Sequence, residues 1–155
     1  MTIENVFRSI LGFEHLTMDK ILFEGQYPVL FTCIDNEKVY LFICYYRSNR
    51  EMSWIGTATE YDNLIQMLQN KVTIREAFMA VTEDKMMITY DGYQTTFSFV
   101  KRDRIPEDIL PTDGEFMDAD VDEFSEEIDE FRFRKHHSVF FQNTLIRKPR
   151  KIVTF

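Results

Sequence analysis

The sequence predicts an α+β fold: a single antiparallel sheet of about five to seven strands with short helices packed on one side. Three observations predict it. Runs rich in β-branched and aromatic residues are separated by turn residues, most clearly at DNEK (35–38) and at Asp91-Gly92. The spacing of apolar residues changes from alternation to helical periodicity between positions 61 and 78. The chain has 155 residues, 45% hydrophobic and 15% aromatic. That is one domain's worth of sequence, and a domain of this size buries roughly 68–70% of its unfolded surface.

Each element follows in order. Ile3, Val6, Phe7, Ile10 and Leu11 share one helical face, with Thr2 as cap. KILFEG (20–25) is a short strand. PVLFTCID (28–35) and VYLFICYYR (39–47) form a hairpin around Asn36-Glu37. The second run is apolar on both faces, which places it centrally in the sheet. MSWIGTA (52–58) follows the turn SNRE. Tyr61, Leu64, Ile65 and Leu68 then recur at helical spacing, with Thr59 as N-cap. Thr73 and Glu76 match a capping box that opens a second short helix through Phe78. KMMITYD (85–91) and YQTTFSFV (93–100) form a second hairpin. Residues 101–111 are turn and loop, because Pro106 and Pro111 each forbid a helix interior.

The chain thus divides into a core domain (1–111), an acidic amphipathic helical segment packed on it (112–131) and a basic C-terminal strand or tail (132–155). Net charge is −8 overall. It is −5 over 1–112, −10 over 113–130 and +7 over 131–155. The acidic balance argues against direct binding of nucleic acid, which needs a basic footprint. No run approaches a membrane-spanning length, and the N-terminus lacks the apolar core of a signal peptide. The hairpin register sets Cys33 against Tyr40 rather than Cys44, which disfavours a disulfide. Two unpaired cysteines fit a reducing compartment, so the expected location is cytoplasmic.

EGQYPVLFTCIDNEKVYLFICY, then Trp54, then NKVTIREAF, then RDRIPEDILPTDGE resembles a bacterial domain-of-unknown-function family. That family's pattern is a YDGPxLF strand, a GxIDLRxAF helix junction and an LPxxxLP segment. The resemblance covers roughly residues 20–115. Asn70 and Lys71 stand where a Gly is usual, and Gln26 where a small turn residue is usual. The resemblance implies one compact α+β domain and brings no activity. It says nothing about residues 116–155.

The acidic stretch raises the functional question. Asp118, Asp120 and Asp122 have the spacing of a calcium loop, with Asp129 at position twelve. Against this, Glu123 stands where the loop needs Gly, and Ser125 where it needs an apolar residue. A helix accounts for the stretch better. Met117, Val121, Phe124, Ile128 and Phe131 make one apolar stripe, with Asp118 as cap and Arg132, Arg134 and Lys135 at the negative end of the dipole. The exposed acids, Asp118, Asp120, Asp122, Glu123, Glu126, Glu127, Asp129 and Glu130, are either a solvated face or a contact surface that imitates a phosphate backbone. In the tail, Arg147, Lys148, Arg150 and Lys151 cluster around Pro149. They read as a charged tail, as a match for the protein's own acids, or as a weak contact for RNA or an acidic partner.

No zinc spacing, Walker loop, Rossmann fingerprint or nucleophile elbow occurs. His136 and His137 are adjacent, and on a strand they point to opposite faces. A Cys44–His15 pair stays open, although both cysteines lie in apolar runs where thiols are usually inert. The expectation is a non-enzymatic protein-binding or inhibitory module, without cofactor or metal. Its acidic helical face would meet a basic protein, such as a nucleic-acid-binding one. A small-ligand binder or enzyme with an unrecognised site is one alternative, and a homodimeric structural protein is another.

Overall fold

The computed structural model describes residues 2–25, 28–36 and 38–137. Most of the segment expected as a C-terminal strand or tail, with the basic cluster Arg147, Lys148, Arg150 and Lys151, lies outside the described residues. The elements run α1 (Ile3–Arg8), β1 (Thr17–Glu24), β2 (Pro28–Asp35), β3 (Lys38–Arg47), β4 (Met52–Thr59), α2 (Tyr61–Leu68), α3 (Ile74–Met79), β5 (Lys85–Tyr90), β6 (Thr95–Val100) and α4 (Ser125–His136). Two 3₁₀ turns, Arg102–Arg104 and Glu107–Ile109, occupy the proline-bearing loop.

Among the described residues the six strands form one sheet in the order of the chain, each antiparallel to the next. The α+β expectation is met. β3 is central because both its faces are apolar. Val39, Leu41 and Ile43 point to one side, and Tyr40, Phe42 and Cys44 to the other; all six are buried. The two-residue hairpin pairs Asp35 with Lys38, and hence Cys33 with Tyr40. Both cysteines are free and buried.

Helices cover both faces. Leu64, Ile65, Met67 and Leu68 of α2, Ala77 and Phe78 of α3, and Phe131 of α4 close over Leu30, Leu41 and Ile55. Burying a side chain such as Phe78 or Phe131 completely contributes about 1.5–3 kcal/mol. The opposite face is covered by α1, where Val6 and Phe7 pack on Phe31, Phe42 and Trp54. The one-sided arrangement therefore holds for α2, α3 and α4 and is corrected for α1. The sheet's second face is too aromatic to face water, and the N-terminal helix is what buries it. The Phe7 ring lies 4.7 Å from Phe42 and 5.1 Å from Trp54, edge-on to the latter.

Local expectations divide. The Thr73–Glu76 capping box is present in both directions, and Thr2 accepts from the Asn5 N–H. Thr59 is not the cap of α2. It stays in the β4 ladder opposite Val39, and Glu60 precedes the helix in an extended conformation. Leu11 is exposed because α1 ends at Arg8 and the chain turns at Gly12. β1 begins at Thr17 rather than residue 20, and its early polar residues Thr17 and Asp19 are buried.

The helix expected over 112–131 is displaced. α4 starts at Ser125 and runs on through His136, into the segment read as strand. Asp118 and Asp122 adopt left-handed backbone, with φ of 55° and 68°. Left-handed residues break an α-helical path, so the first half of the apolar stripe never becomes helix. Phe124 and Phe131 still reach the core, whereas Val121 is 92% exposed. Asp118 caps nothing, and Phe124 occupies the N-cap position without a side-chain bond.

Candidate functional site

The acids gather where α2 ends and α4 begins. α2 stops because Asn70 takes φ 60°, the left-handed conformation that glycine most often supplies just past a helix. The Asn70 N–H then bonds the Met67 carbonyl at 3.1 Å, and the Lys71 N–H bonds Gln66 at 2.9 Å. The Asn70 side chain continues the work. Its amide donates to the Ala119 carbonyl and accepts the Ala119 N–H, both at 3.0 Å. A second tie, from the Ile74 N–H to the Glu115 carbonyl at 2.9 Å, fastens the same segment to α3.

These ties leave an open groove of about 540 Å³ between the end of α2 and the start of α4. Leu68, Phe124 and Ile128 form its apolar floor, with Leu68 and Phe124 buried. Asp120, Asp122 and Asp129 stand on its rim, and all three are exposed. Arg132 is the one cation among the described residues that line it, 3.9 Å from Asp129. Asp120 and Asp122 form no ion pair among the described residues. Its volume is that of a cleft able to take a side chain or small group, whereas seven of its twelve lining residues are polar.

The remaining acids go elsewhere. Asp118 and Glu126 are exposed outside the groove. Glu123 turns back to accept the Asp120 N–H at 3.0 Å. Glu126 and Glu127 lie in the first turn of α4, where their charge favours the positive end of the helix dipole. Glu130 is bound within the molecule, to Lys20 at 2.8 Å and to Arg134. The eight acids are therefore not one helical face. Three line a groove, and the rest sit in the first turn of α4, brace the fold or face solvent.

Among the described residues no three His, Cys, Asp or Glu side chains converge on a metal-sized position. Asp118, Asp120, Asp122 and Asp129, which have calcium-loop spacing, are not brought into such a cluster. His136 closes α4 and His137 caps its end, with the His137 ring stacked 4.4 Å from Phe133; neither lies on a strand. Burial pushes the Cys33 thiol well up, with Glu4 and Asp19 adding to it. Burial also raises Cys44, which donates to the Tyr46 carbonyl at 3.5 Å. Both thiols are thus held protonated and are poor nucleophiles. His15, the partner left open for Cys44, is exposed in the turn before β1.

Sequence reasoning missed Asn70 and Leu68 as groove residues. The available signal was an Asn directly after an amphipathic helix, which marks a left-handed stop.

A search of curated proteins and a search of solved structures each found no match. A family model does match, over residues 8–154, and extends past the limits of the sequence resemblance to include the groove and the tail. The chain belongs to that family, a family of unknown function (DUF6575).

Proposed function

We propose that the protein is a non-enzymatic binding module whose groove takes a basic segment of a protein partner. The observation that carries this reading is the pairing of an apolar floor, Leu68, Phe124 and Ile128, with an acidic rim, Asp120, Asp122 and Asp129. Such a lining suits a segment with one apolar anchor flanked by Lys or Arg. Carboxylates of this kind steer a basic partner to the site and set specificity more than raw affinity. Nucleic-acid-binding proteins are the class that best meets the requirement in charge, and occupying their basic surface would inhibit them. Two buried, unpaired thiols support a reducing, cytoplasmic setting.

The test is affinity capture from native lysate at low and moderate salt with three chains. These are wild type, the groove variant Asp120→Asn/Asp122→Asn/Asp129→Asn, and a control Asp118→Asn/Glu126→Gln outside the groove. A basic protein held by wild type and control, and lost from the groove variant and with salt, is the expected result. Equal capture by all three chains overturns the groove as contact surface. A mass that rises with concentration, with no partner captured, would instead favour a homodimer through β1 or β6, the edge strands among the described residues.

A further inference from the structure

The distribution of cations along the C-terminal part of the chain points to a first occupant of this groove. Residues 131–155 hold seven Lys and Arg and no acid. The three within α4 are each directed at a carboxylate of this same molecule. Arg132 lies 3.9 Å from Asp129, Arg134 binds Asp19 and Glu130, and Lys135 binds Asp62 at 2.5 Å. The other four are Arg147, Lys148, Arg150 and Lys151. Asp120 and Asp122, on the groove's rim, have no ion pair among the described residues.

Reach permits the match. α4 rises about 1.5 Å per residue, so its C-terminal end lies about 17 Å from the groove at Ser125. Arg147 lies ten positions beyond His137, and an extended chain of ten residue steps spans up to about 33 Å. The basic cluster is therefore within chain length of the groove, and two apolar residues, Ile146 and Ile152, flank it in the sequence. Held at short range by its own chain, such a segment competes at high effective concentration without high intrinsic affinity.

We infer that the basic cluster Arg147–Lys151 of the chain's own tail occupies the groove between α2 and α4, and that a protein partner must displace it. This rests on the reading of the groove as a protein-binding site and adds its regulation.

The experiment uses the full chain with a nitroxide on Thr144→Cys, selective because Cys33 and Cys44 are buried. Broadening of the Asn70, Ala119, Asp122 and Ser125 amides is expected at low salt, while the Gly92 loop stays sharp. It should disappear in Arg147→Glu/Lys148→Glu/Arg150→Glu/Lys151→Glu carrying the same label. Equal broadening in both chains, or none at the groove, overturns the inference. Broadening in a mixture of isotope-labelled chain and unlabelled, nitroxide-bearing chain would assign the tail to a second copy and overturn it as well. A fluorescent phenylalanine-flanked oligolysine peptide separates the two proposals. It should bind the neutralised variant Arg147→Gln/Lys148→Gln/Arg150→Gln/Lys151→Gln, whose tail adds no acid of its own, roughly tenfold or more tighter than wild type. Equal binding to both chains sinks the tail and leaves the groove reading standing. Binding to neither sinks both.

Discussion

Arg134 of α4 and Asp19 of β1 form a two-pronged ion pair inside the protein. Nη1 lies 2.5 Å from one carboxylate oxygen and Nη2 3.0 Å from the other, with side-chain exposures of 2% and 4%. The pair joins residues 115 positions apart and anchors the helix that forms one wall of the groove to the edge of the sheet. The guanidinium also lies about 6 Å from the Tyr61 and Phe131 rings.

Removing one partner should be worse than removing both. Arg134→Met leaves a buried, uncompensated carboxylate and is expected to cost about 3–5 kcal/mol. Asp19→Leu/Arg134→Met, which leaves no buried charge, should recover most of that loss. Urea unfolding of the two single variants and the double variant closes the cycle. A double variant no more stable than Arg134→Met would show that the pair contributes more than mutual neutralisation.

Lys85 gives the molecule a pH response. Its ammonium is buried and donates to Thr57 Oγ1 at 2.8 Å and to the Val81 carbonyl, just past α3, at 2.6 Å. Burial, with the Arg102 charge next in weight, pulls its pKa from the ordinary 10.5 down to about 8. Between roughly pH 8 and 10.5 the unfolded chain holds a proton that the folded chain has released, so this group adds stability as pH rises. Below pH 8 both states are protonated and its contribution is constant. Tyr40 and Tyr61, raised by burial, act in the opposite sense once pH passes about 10. The difference in stability between wild type and Lys85→Met, taken at pH 7.5 and 9.5, isolates the lysine. It should shift toward wild type at the higher pH, and an unchanged difference refutes the assignment.

Gly56 carries the tightest steric demand in the sheet. A Cβ there would sit 2.2 Å from the Phe42 ring. Phe42 is itself wedged between Phe7 and Phe31. Gly56→Ala must tilt the ring out of that stack and should cost about 1–3 kcal/mol. Gly56→Ala/Phe42→Leu should lose less than the two single changes added together, as read by thermal or urea unfolding.

The limits of the sequence reading follow from the same contacts. β3 is legible because a run apolar on both faces belongs only at the centre of a sheet. The Cys33–Tyr40 register follows from a two-residue turn, and the Thr73 cap from its own four residues. Each of these is local chemistry. α4 is misplaced because Met117, Val121 and Phe124 keep helical spacing, while the contact that holds them out of a helix, Asn70 with Ala119, spans 49 residues. The inward face of Arg134 is equally invisible to a pattern of apolar residues. The groove needs the ends of two elements together, so its acidic rim was legible as composition and its floor was not legible at all.

Asn70 then becomes the most informative position for the site. It does two separable things: it supplies the left-handed stop of α2, and its side chain clamps Ala119. Asn70→Gly keeps the first and removes the second. It should change global stability by no more than about 1 kcal/mol, since glycine enters the left-handed region without strain and each lost hydrogen bond is worth about 0.5–1.5 kcal/mol before that gain. Asn70→Ala removes both and should lose about 1–2 kcal/mol more than the glycine variant. In both, the Ala119 amide should exchange with solvent faster than in wild type, and the groove should weaken its hold on a basic peptide. Hydrogen exchange at Ala119 decides the matter. If the amide exchanges in Asn70→Gly as slowly as in wild type, Asn70 does not hold the groove's wall, and the acidic rim is positioned by Phe124 and α4 alone.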